Sequence, residues 1–373
     1  MKIVFVTTMS GAPWGGSEEL WSQAALRLRE GDHDVAASVV SWPKLSPRVT
    51  ALREQGIEVC VRQSPTIALS ARVWRKVARS PPEDYEWMRK IRPNLVVISQ
   101  GGNSDGLEWM TFCRDADMPF VAVLQCNGEW FWPGDELAAE MAAAYQAARK
   151  VFCVSRNNLE LLERQTGATL SNAAIVRNPF NVSPDPPPAW PPSIDIWQLA
   201  CVARLEPAAK GQDLLFQVLA LPQWRDRPVE VNLYGAGPCE RSLRQLVERL
   251  QLNKVYFRDH VPDVKSIWVA NQLLLLPSRY EGLPLALVEA MWCQRPALVT
   301  DIGDSADLCL DGETGFVAPA PTVALLAQTL ERAWNYRRGW QEMGKAARAR
   351  VERLIPRDPV RDFCGQLMEC VSA

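Results

Sequence analysis

What this sequence has little of narrows what it can do. It holds only two histidines, and its ten cysteines form no Cys-x-x-Cys pair. Neither a zinc site nor a disulfide framework is therefore expected, and reduced thiols are the simplest reading. Forty-one Lys and Arg stand against 43 Asp and Glu, a formal charge of −2. With no basic stripe, nucleic acid is not an expected partner. No clustered pair of aspartates offers a hard oxygen site, so no metal is expected. No apolar run is long enough to cross a bilayer, and the apolar start, Ile3 to Val6, is too short for the core of a signal peptide. A complete Gly-x-Gly-x-x-Gly after the first strand is also missing, which disfavours a nicotinamide oxidoreductase.

What is there reads as strand then helix, repeated. A chain of 373 residues suits two domains of roughly 150 to 200 residues each. Short β-rich apolar runs at 2–8, 35–40, 57–61, 95–99, 120–124, 151–154 and 173–176 alternate with helical patterns, the first helix covering about 17–29. A proline-rich stretch, Pro184-Asp185-Pro186-Pro187-Pro188-Ala189-Trp190-Pro191-Pro192, cannot be helix or central strand and reads as an extended linker. The alternation then restarts with strands at 196–203, 229–234, 255–257 and 272–276, and helices from about 212 and over 240–250. Beyond Pro321 the pattern is helical, and the last segment is long enough to pack back onto the first domain. The expected division is 1–180 plus a C-terminal helix at about 357–373, a linker at 181–192, and a second domain at 193–356. Such alternation argues for α/β parallel sheets covered on both faces, with ligands at the carboxyl ends of the strands.

The chemistry gathers around Pro277-Ser278-Arg279-Tyr280-Glu281-Gly282-Leu283-Pro284-Leu285-Ala286-Leu287-Val288-Glu289-Ala290-Met291. It follows a buried-strand pattern and opens a helix whose first turn should carry Pro284. Glu281 then lies just before the helix and Glu289 inside it, beside amides that favour an anion. The plainer alternative is that Glu281 caps the helix and Glu289 lies on a solvated face. Arg204 and Lys210-Gly211 follow the first strand of the second half and could form a phosphate-binding corner, or Arg204 could simply pair with Glu206 on the surface. Gly235-Ala236-Gly237-Pro238 also follows a strand and opens a helix; its plainer reading is a tight turn. In the first half, Ser10-Gly11-Ala12-Pro13-Trp14-Gly15-Gly16-Ser17-Glu18 is a glycine-rich turn after the first strand. Eight of the fifteen tryptophans precede the linker, and Trp14, Trp130 and Trp132 fall in loops where flat rings could stack on a ligand.

Taken together, the Glu281 to Glu289 spacing inside Pro-Ser-x-x-Glu-Gly-x-Pro, Arg204, Lys210-Gly211, Gly235-x-Gly237-Pro238, Asp311-Gly312-Glu313-Thr314-Gly315-Phe316 and Gly15-Gly16-Ser17-Glu18 resemble the retaining glycosyltransferases of family four, the group 1 glycosyl transferases. The match is close over the second half and loose over the first. The resemblance implies the GT-B fold: two Rossmann-like α/β/α domains facing a cleft, with a C-terminal helix crossing back to the N-terminal domain. It implies transfer of a hexose-type sugar from a nucleotide-diphosphate sugar to a saccharide, lipid-linked or small-molecule acceptor, in cell-surface polysaccharide or glycoconjugate synthesis, without a metal or other cofactor. The expected setting is the cytoplasm or the inner face of the membrane, reached through the acceptor. By resemblance Arg204 and Lys210 would grip the diphosphate and Glu281 the donor sugar. Gly15, Gly16, Gly282, Leu283, Pro284, Leu285, Glu289, Gly235, His260 and Val261 would complete the donor site, Glu289 by accepting from ribose hydroxyls. Trp14, Gln125, Asn127 and Trp130 are the acceptor-side candidates. Two departures stand out. Gln125-Cys126-Asn127 occupies the place where the family usually has a histidine near the donor sugar, and Cys293-Gln294 stands where a glycine often follows the motif helix. A GT-B-like nucleotide-sugar epimerase or phosphorylase, or a non-catalytic nucleotide-binding protein, remains an alternative.

Overall fold

Apolar runs bounded by glycine and polar residues become strands in a computed structural model, which describes residues 1–9, 13–63, 83–192 and 195–372. Ser10, Gly11 and Ala12 of the first glycine turn, and Trp74, lie outside the described residues. The chain divides into two units, Met1–Pro179 with Asp358–Ala373, and Phe180–Arg357.

The first unit holds strands β1 (Lys2–Thr7), β2 (Asp34–Val40), β3 (Glu58–Arg62), β4 (Leu95–Gln100), β5 (Phe120–Leu124), β6 (Lys150–Cys153) and β7 (Ala173–Ile175). They pair in parallel in the order β3-β2-β1-β4-β5-β6-β7. Val4 sits opposite Val96 and Phe5 opposite Val97 in the central pair. Every residue of β4 and β5 is buried, as a sheet covered on both faces requires. Helix Gly16–Glu30 presents Leu20, Trp21, Ala24, Ala25 and Leu28 inward, a stripe of helical period. The last helix, Pro359–Ser372, packs on it: Arg27 donates to both carboxylate oxygens of Asp358 at 2.7 Å, and the Cys364 thiol donates to Ala24 O. Phe363 meets Phe152 edge to face.

The second unit holds β8 (Trp197–Val202), β9 (Val229–Tyr234), β10 (Val255–Phe257), β11 (Leu273–Leu276), β12 (Ala297–Thr300) and β13 (Gly315–Ala318). All are parallel, in the order β10-β9-β8-β11-β12-β13. This is the strand order of a nucleotide-binding sheet, whose direction of winding reverses between β8 and β11. The apolar run around Ile267 is a helix, Val264–Ala270. The strands β12 and β13 were not among the runs marked in the sequence.

The proline-rich segment groups with the second unit and is no free connection. Its carbonyls lack strand partners, and guanidinium groups take them. Arg348 donates to Pro184 O and pairs with Asp185 at 2.6 Å, and Arg295 donates to Ala189 O. Phe180 stacks on Trp292. Arg295 is 1% exposed, and among the described residues its guanidinium donates to carbonyls and to no carboxylate. It donates to carbonyls at the ends of two helices, Trp268 O and Cys293 O, whose negative dipole ends favour a cation. Burial still pushes its guanidinium down to about 10.

Candidate active site

In a doubly wound sheet, ligands bind beyond the carboxyl ends of the two strands at which the winding reverses. In the second unit these are β8 and β11, and the loops that follow them carry Arg204, Lys210 and Glu281. The loop after β8 forms a single turn, Pro207–Lys210, and reaches Gly211, which starts helix Gln212–Leu219. Gly211 has φ +65°, and a Cβ there would lie 1.9 Å from Pro277 O. Only glycine fits. This close approach locks the two loops together: Arg279 N donates to Ala209 O at 2.8 Å, and the Arg279 guanidinium holds both oxygens of Asp213 and the Pro207 carbonyl.

Locking the loops places Lys210 Nζ 2.7 Å from Glu281 Oε1. Ser278 Oγ donates to the same oxygen at 2.7 Å. Glu281 is 7% exposed, so its charge is matched by a cation and a hydroxyl away from bulk water. Glu281 is therefore no simple helix cap. Pro284 stands one position before the first helical residue of Leu285–Trp292, not in its first turn. There its extended backbone lets its carbonyl take the first helix bonds, from Leu287 N and Val288 N. The amides of Gly282, Leu283 and Leu285 have no acceptor among the described residues. A cation and a hydroxyl thus hold one carboxylate, and three amides without acceptors among the described residues follow it in the chain, groups suited to an anionic, hydroxyl-bearing ligand.

Glu289 lies in the same helix at 5% exposure, so it is no solvated-face residue. One carboxylate oxygen accepts from Asn181 N at 2.9 Å. Burial raises its pKa to about 7, and the Asn181 amide only partly offsets this. Arg204 does not join the cluster. Its side chain is 55% exposed, and Nη2 lies 3.0 Å from Glu206 Oε2 without hydrogen-bond alignment. Gly235 and Gly237 serve close backbone packing: a Cβ on Gly235 would lie 2.2 Å from Ala203 O, and one on Gly237 would lie 2.5 Å from Leu205 O. His260 is exposed and Val261 half-buried, on the loop after edge strand β10, whose Asp259 O accepts from Gly235 N.

In the first unit the corresponding strands are β1 and β4. Gly15 is extended and caps helix Gly16–Glu30. Trp14 is half-buried, its indole donating to Glu19 and its ring 5.9 Å from that of Trp21. Asn127 is fully engaged, donating to Gln165 and accepting from Gly128 N, in a network that holds residues 127–131. Gln125 accepts from Asn178, and its own amide nitrogen has no acceptor among the described residues. Of the two residues standing where the histidine was expected, Gln125 has an amide nitrogen with no acceptor among the described residues, whereas that of Asn127 donates to Gln165. Trp130 is 72% and Trp132 62% exposed.

Four features went unassigned in the sequence. Ser278 and Asn181 hold the two carboxylates, and the first was visible inside the quoted motif. Glu18, also quoted, is 3% exposed and accepts from Thr7 Oγ1 at 2.8 Å and from the Trp21 indole; burial raises it to about 7. A second glycine loop, Gly101-Gly102-Asn103-Ser104-Asp105-Gly106, follows β4, where Asp105 accepts from Gly102 N at 2.8 Å.

Residues 197–335 match the family model described as Glycosyl transferases group 1. The chain is 28% identical over 131 residues to the alpha-D-kanosaminyltransferase of Streptomyces kanamyceticus, covering 34% of this chain and 33% of that protein. It is 29% identical over 151 residues to the D-rhamnosyltransferase WbpZ of Pseudomonas aeruginosa, covering 39% of this chain and 38% of that one. The chain thus spans about a third of the length of these curated relatives. Among solved structures it is similar to HepE of Anabaena in complex with UDP and glucose, with a TM-score of 0.75 at 18% identity over 99% of both chains. A glycosyltransferase from Rickettsia africae gives a TM-score of 0.77 at 15% identity over 99% of this chain and 98% of that one. Residues 197–335 thus resemble the group 1 glycosyl transferases, and the chain has the fold of the GT-B glycosyltransferases.

Proposed function

We propose that this protein is a family-four glycosyltransferase that moves a hexose-type sugar from a nucleotide-diphosphate sugar to a carbohydrate or glycolipid acceptor with retention of configuration. The observation that carries this reading is the Lys210–Glu281–Ser278 cluster beside the free amides of Gly282, Leu283 and Leu285, at the carboxyl ends of β8 and β11. Breaking a glycosyl phosphate bond builds negative charge on the leaving diphosphate. Lys210 and the amides stabilise that charge, so no metal ion is required. Glu281 faces the sugar, where positive charge grows on the ring. The departing phosphate oxygen takes the acceptor proton on the same face of the sugar. Glu289 accepts from the ribose hydroxyls. Bound UDP and glucose in HepE support a nucleotide sugar as the kind of donor. The likeness to the lipopolysaccharide outer core galactosyltransferase WaaB, with a TM-score of 0.72 at 17% identity, supports a carbohydrate acceptor and a place in cell-surface polysaccharide synthesis.

A thermal-shift screen of nucleotide sugars identifies the donor, because a ligand of the folded state raises apparent stability. With that donor and an acceptor set, NMR of the first-formed product reports anomeric configuration, and the assay is repeated in chelator. Retention and unchanged activity in chelator are expected. Inversion, or activity restored only by added magnesium or manganese, overturns the corresponding part of the reading. Turnover that needs free phosphate, or epimerisation without acceptor, identifies the alternative enzyme classes.

A further inference from the structure

The loop after β12 supplies none of the residues assigned to sugar transfer, yet it touches the Glu281 turn at three points. Gly303 has φ +58°, and a Cβ there would lie 2.6 Å from both Glu281 O and Gly282 O. Only glycine allows that backbone angle and that approach together. Asp304 N donates to Gly282 O at 3.3 Å. The Thr300 hydroxyl donates to Ser278 O, and Thr300 and Ser278 are each 1% exposed. Ser278 Oγ in turn holds Glu281 Oε1 at 2.7 Å.

These contacts fix direction as well as place. The Cβ position at Gly303 lies nearer to the carbonyl oxygen of Glu281 than to its carbonyl carbon, 2.6 against 3.0 Å, so this carbonyl points at the β12 loop. The Gly282 carbonyl points there too, towards Asp304 N. In a planar trans peptide the N–H is directed opposite to the C=O. The N–H groups of Gly282 and Leu283 therefore point away from the β12 loop, and neither has an acceptor among the described residues.

We infer that Gly303 and Thr300 are positioning residues for sugar transfer, an inference that rests on the proposed function. Gly303 turns the Gly282 and Leu283 amides away from its own loop, where they meet the donor's diphosphate. Thr300 holds Ser278 so that its hydroxyl fixes the Glu281 carboxylate. Such support matters because a displacement of about 1 Å at a reacting group can cost on the order of a hundredfold in rate.

Inorganic pyrophosphate, the part common to the diphosphate donors, is the binding probe, titrated into the full chain by ¹H–¹⁵N NMR. The Gly282 and Leu283 amide signals should move saturably in the wild type and lose that response in Gly303→Ala. At saturating donor, Gly303→Ala should lower the rate constant by about a hundredfold. Thr300→Val keeps the shape and removes the hydroxyl; it should lower the rate constant about tenfold with pyrophosphate affinity unchanged, and Thr300→Ser should recover most of the loss. In a Glu281→Ala background Thr300→Val should cost nothing further, because it acts through that carboxylate. A Thr300→Val rate close to wild type, an additive loss in the double variant, no recovery in Thr300→Ser, or Gly282 and Leu283 signals that ignore pyrophosphate overturns the inference while the transfer reading stands. Wild-type turnover by Glu281→Ala alone would instead remove the transfer reading, and this inference with it. Should Gly303→Ala fail to fold, the Thr300 series and the wild-type titration carry the test.

Discussion

The two units are built on one plan and use it differently. Each has a parallel sheet that reverses its winding between two central strands, and each places glycine-bearing loops beyond the carboxyl ends of those strands. In the second unit the buried carboxylate Glu281 faces the ammonium of Lys210 and the hydroxyl of Ser278. In the first unit the buried carboxylate Glu18 accepts, among the described residues, from the neutral donors Thr7 and the Trp21 indole, with Arg62 adding a smaller Coulombic attraction. Together these do not offset desolvation, and Glu18 is pushed up to about 7. The same scaffold thus gives one end a charged, ligand-directed cluster and the other a carboxyl group poised near neutrality, and a few loop residues decide which.

The largest effect should separate these two carboxylates. Glu281→Ala is expected to lower turnover by on the order of a thousandfold while nucleotide binding survives, because the proposed mechanism assigns the residue to the reacting sugar and not to the base. Glu18→Ala should leave turnover within a few-fold once the protein is folded. Single-turnover rates beside nucleotide titrations check the pair, and wild-type turnover by Glu281→Ala removes that residue from the mechanism.

Next comes Lys210. Its replacement by Ala removes charge from the leaving diphosphate and strands Glu281 without its cation. At saturating donor the rate constant should fall by about a hundredfold or more. If the loss appears only in KM, Lys210 binds donor but does not act on the transition state.

Glu289 offers a pH test. With its pKa raised to about 7 in the free protein, a ligand that needs the carboxylate must displace a proton below that pH. Nucleotide affinity should therefore be roughly tenfold weaker at pH 6 than at pH 8, and Glu289→Gln should lose that dependence. The same profile in both proteins would place the titrating group elsewhere.

Glu18 gives the matching test in the first unit, read as stability. A carboxyl whose folded pKa exceeds its unfolded value keeps its proton longer in the folded state. Its contribution is most favourable below about 4.5 and is lost as pH rises towards about 7. Denaturant midpoints should decline across that window by an amount on the order of 3 kcal/mol at most, and Glu18→Gln should flatten the decline. An equal slope in the variant would show that Glu18 is not its source.

Much of this was legible in the sequence because it depends on short-range pattern. Buried parallel strands read as apolar runs, and 120–124, 229–234 and 255–257 coincide with β5, β9 and β10. The Glu281 loop was legible because its chemistry lies within fifteen consecutive residues. What escaped depends on contacts far apart in the chain. Nothing local indicates that Asn181 N reaches Glu289, 108 residues on, or that Lys210 meets Glu281. The proline-rich stretch looked free because its composition forbids regular structure, yet Arg348, 163 residues away from Asp185, pins it to the second unit. The strands β12 and β13 also went unmarked, although β10, with only three residues, was read correctly.

The smallest effect concerns Arg204, which shared an assignment with Lys210 when only spacing was available. The two residues bracket one loop, but folding turns them to different partners. Lys210 is 18% exposed and tied to Glu281, whereas Arg204 is 55% exposed and lies beside Glu206. An exposed guanidinium is screened by water and salt, and its pair with a neighbouring carboxylate is worth little. Arg204 reaches the diphosphate only by leaving Glu206, so part of its attraction is spent in exchanging partners. Arg204→Ala should therefore reduce the rate constant by only a few-fold at physiological salt, with a larger effect at low ionic strength. Arg204→Lys should recover most of the loss, because a point charge suffices where no bidentate geometry is held. Rate constants for both variants at two salt concentrations check this. A hundredfold loss that is independent of salt would mean that Arg204 abandons Glu206 completely for the diphosphate and stands equal to Lys210.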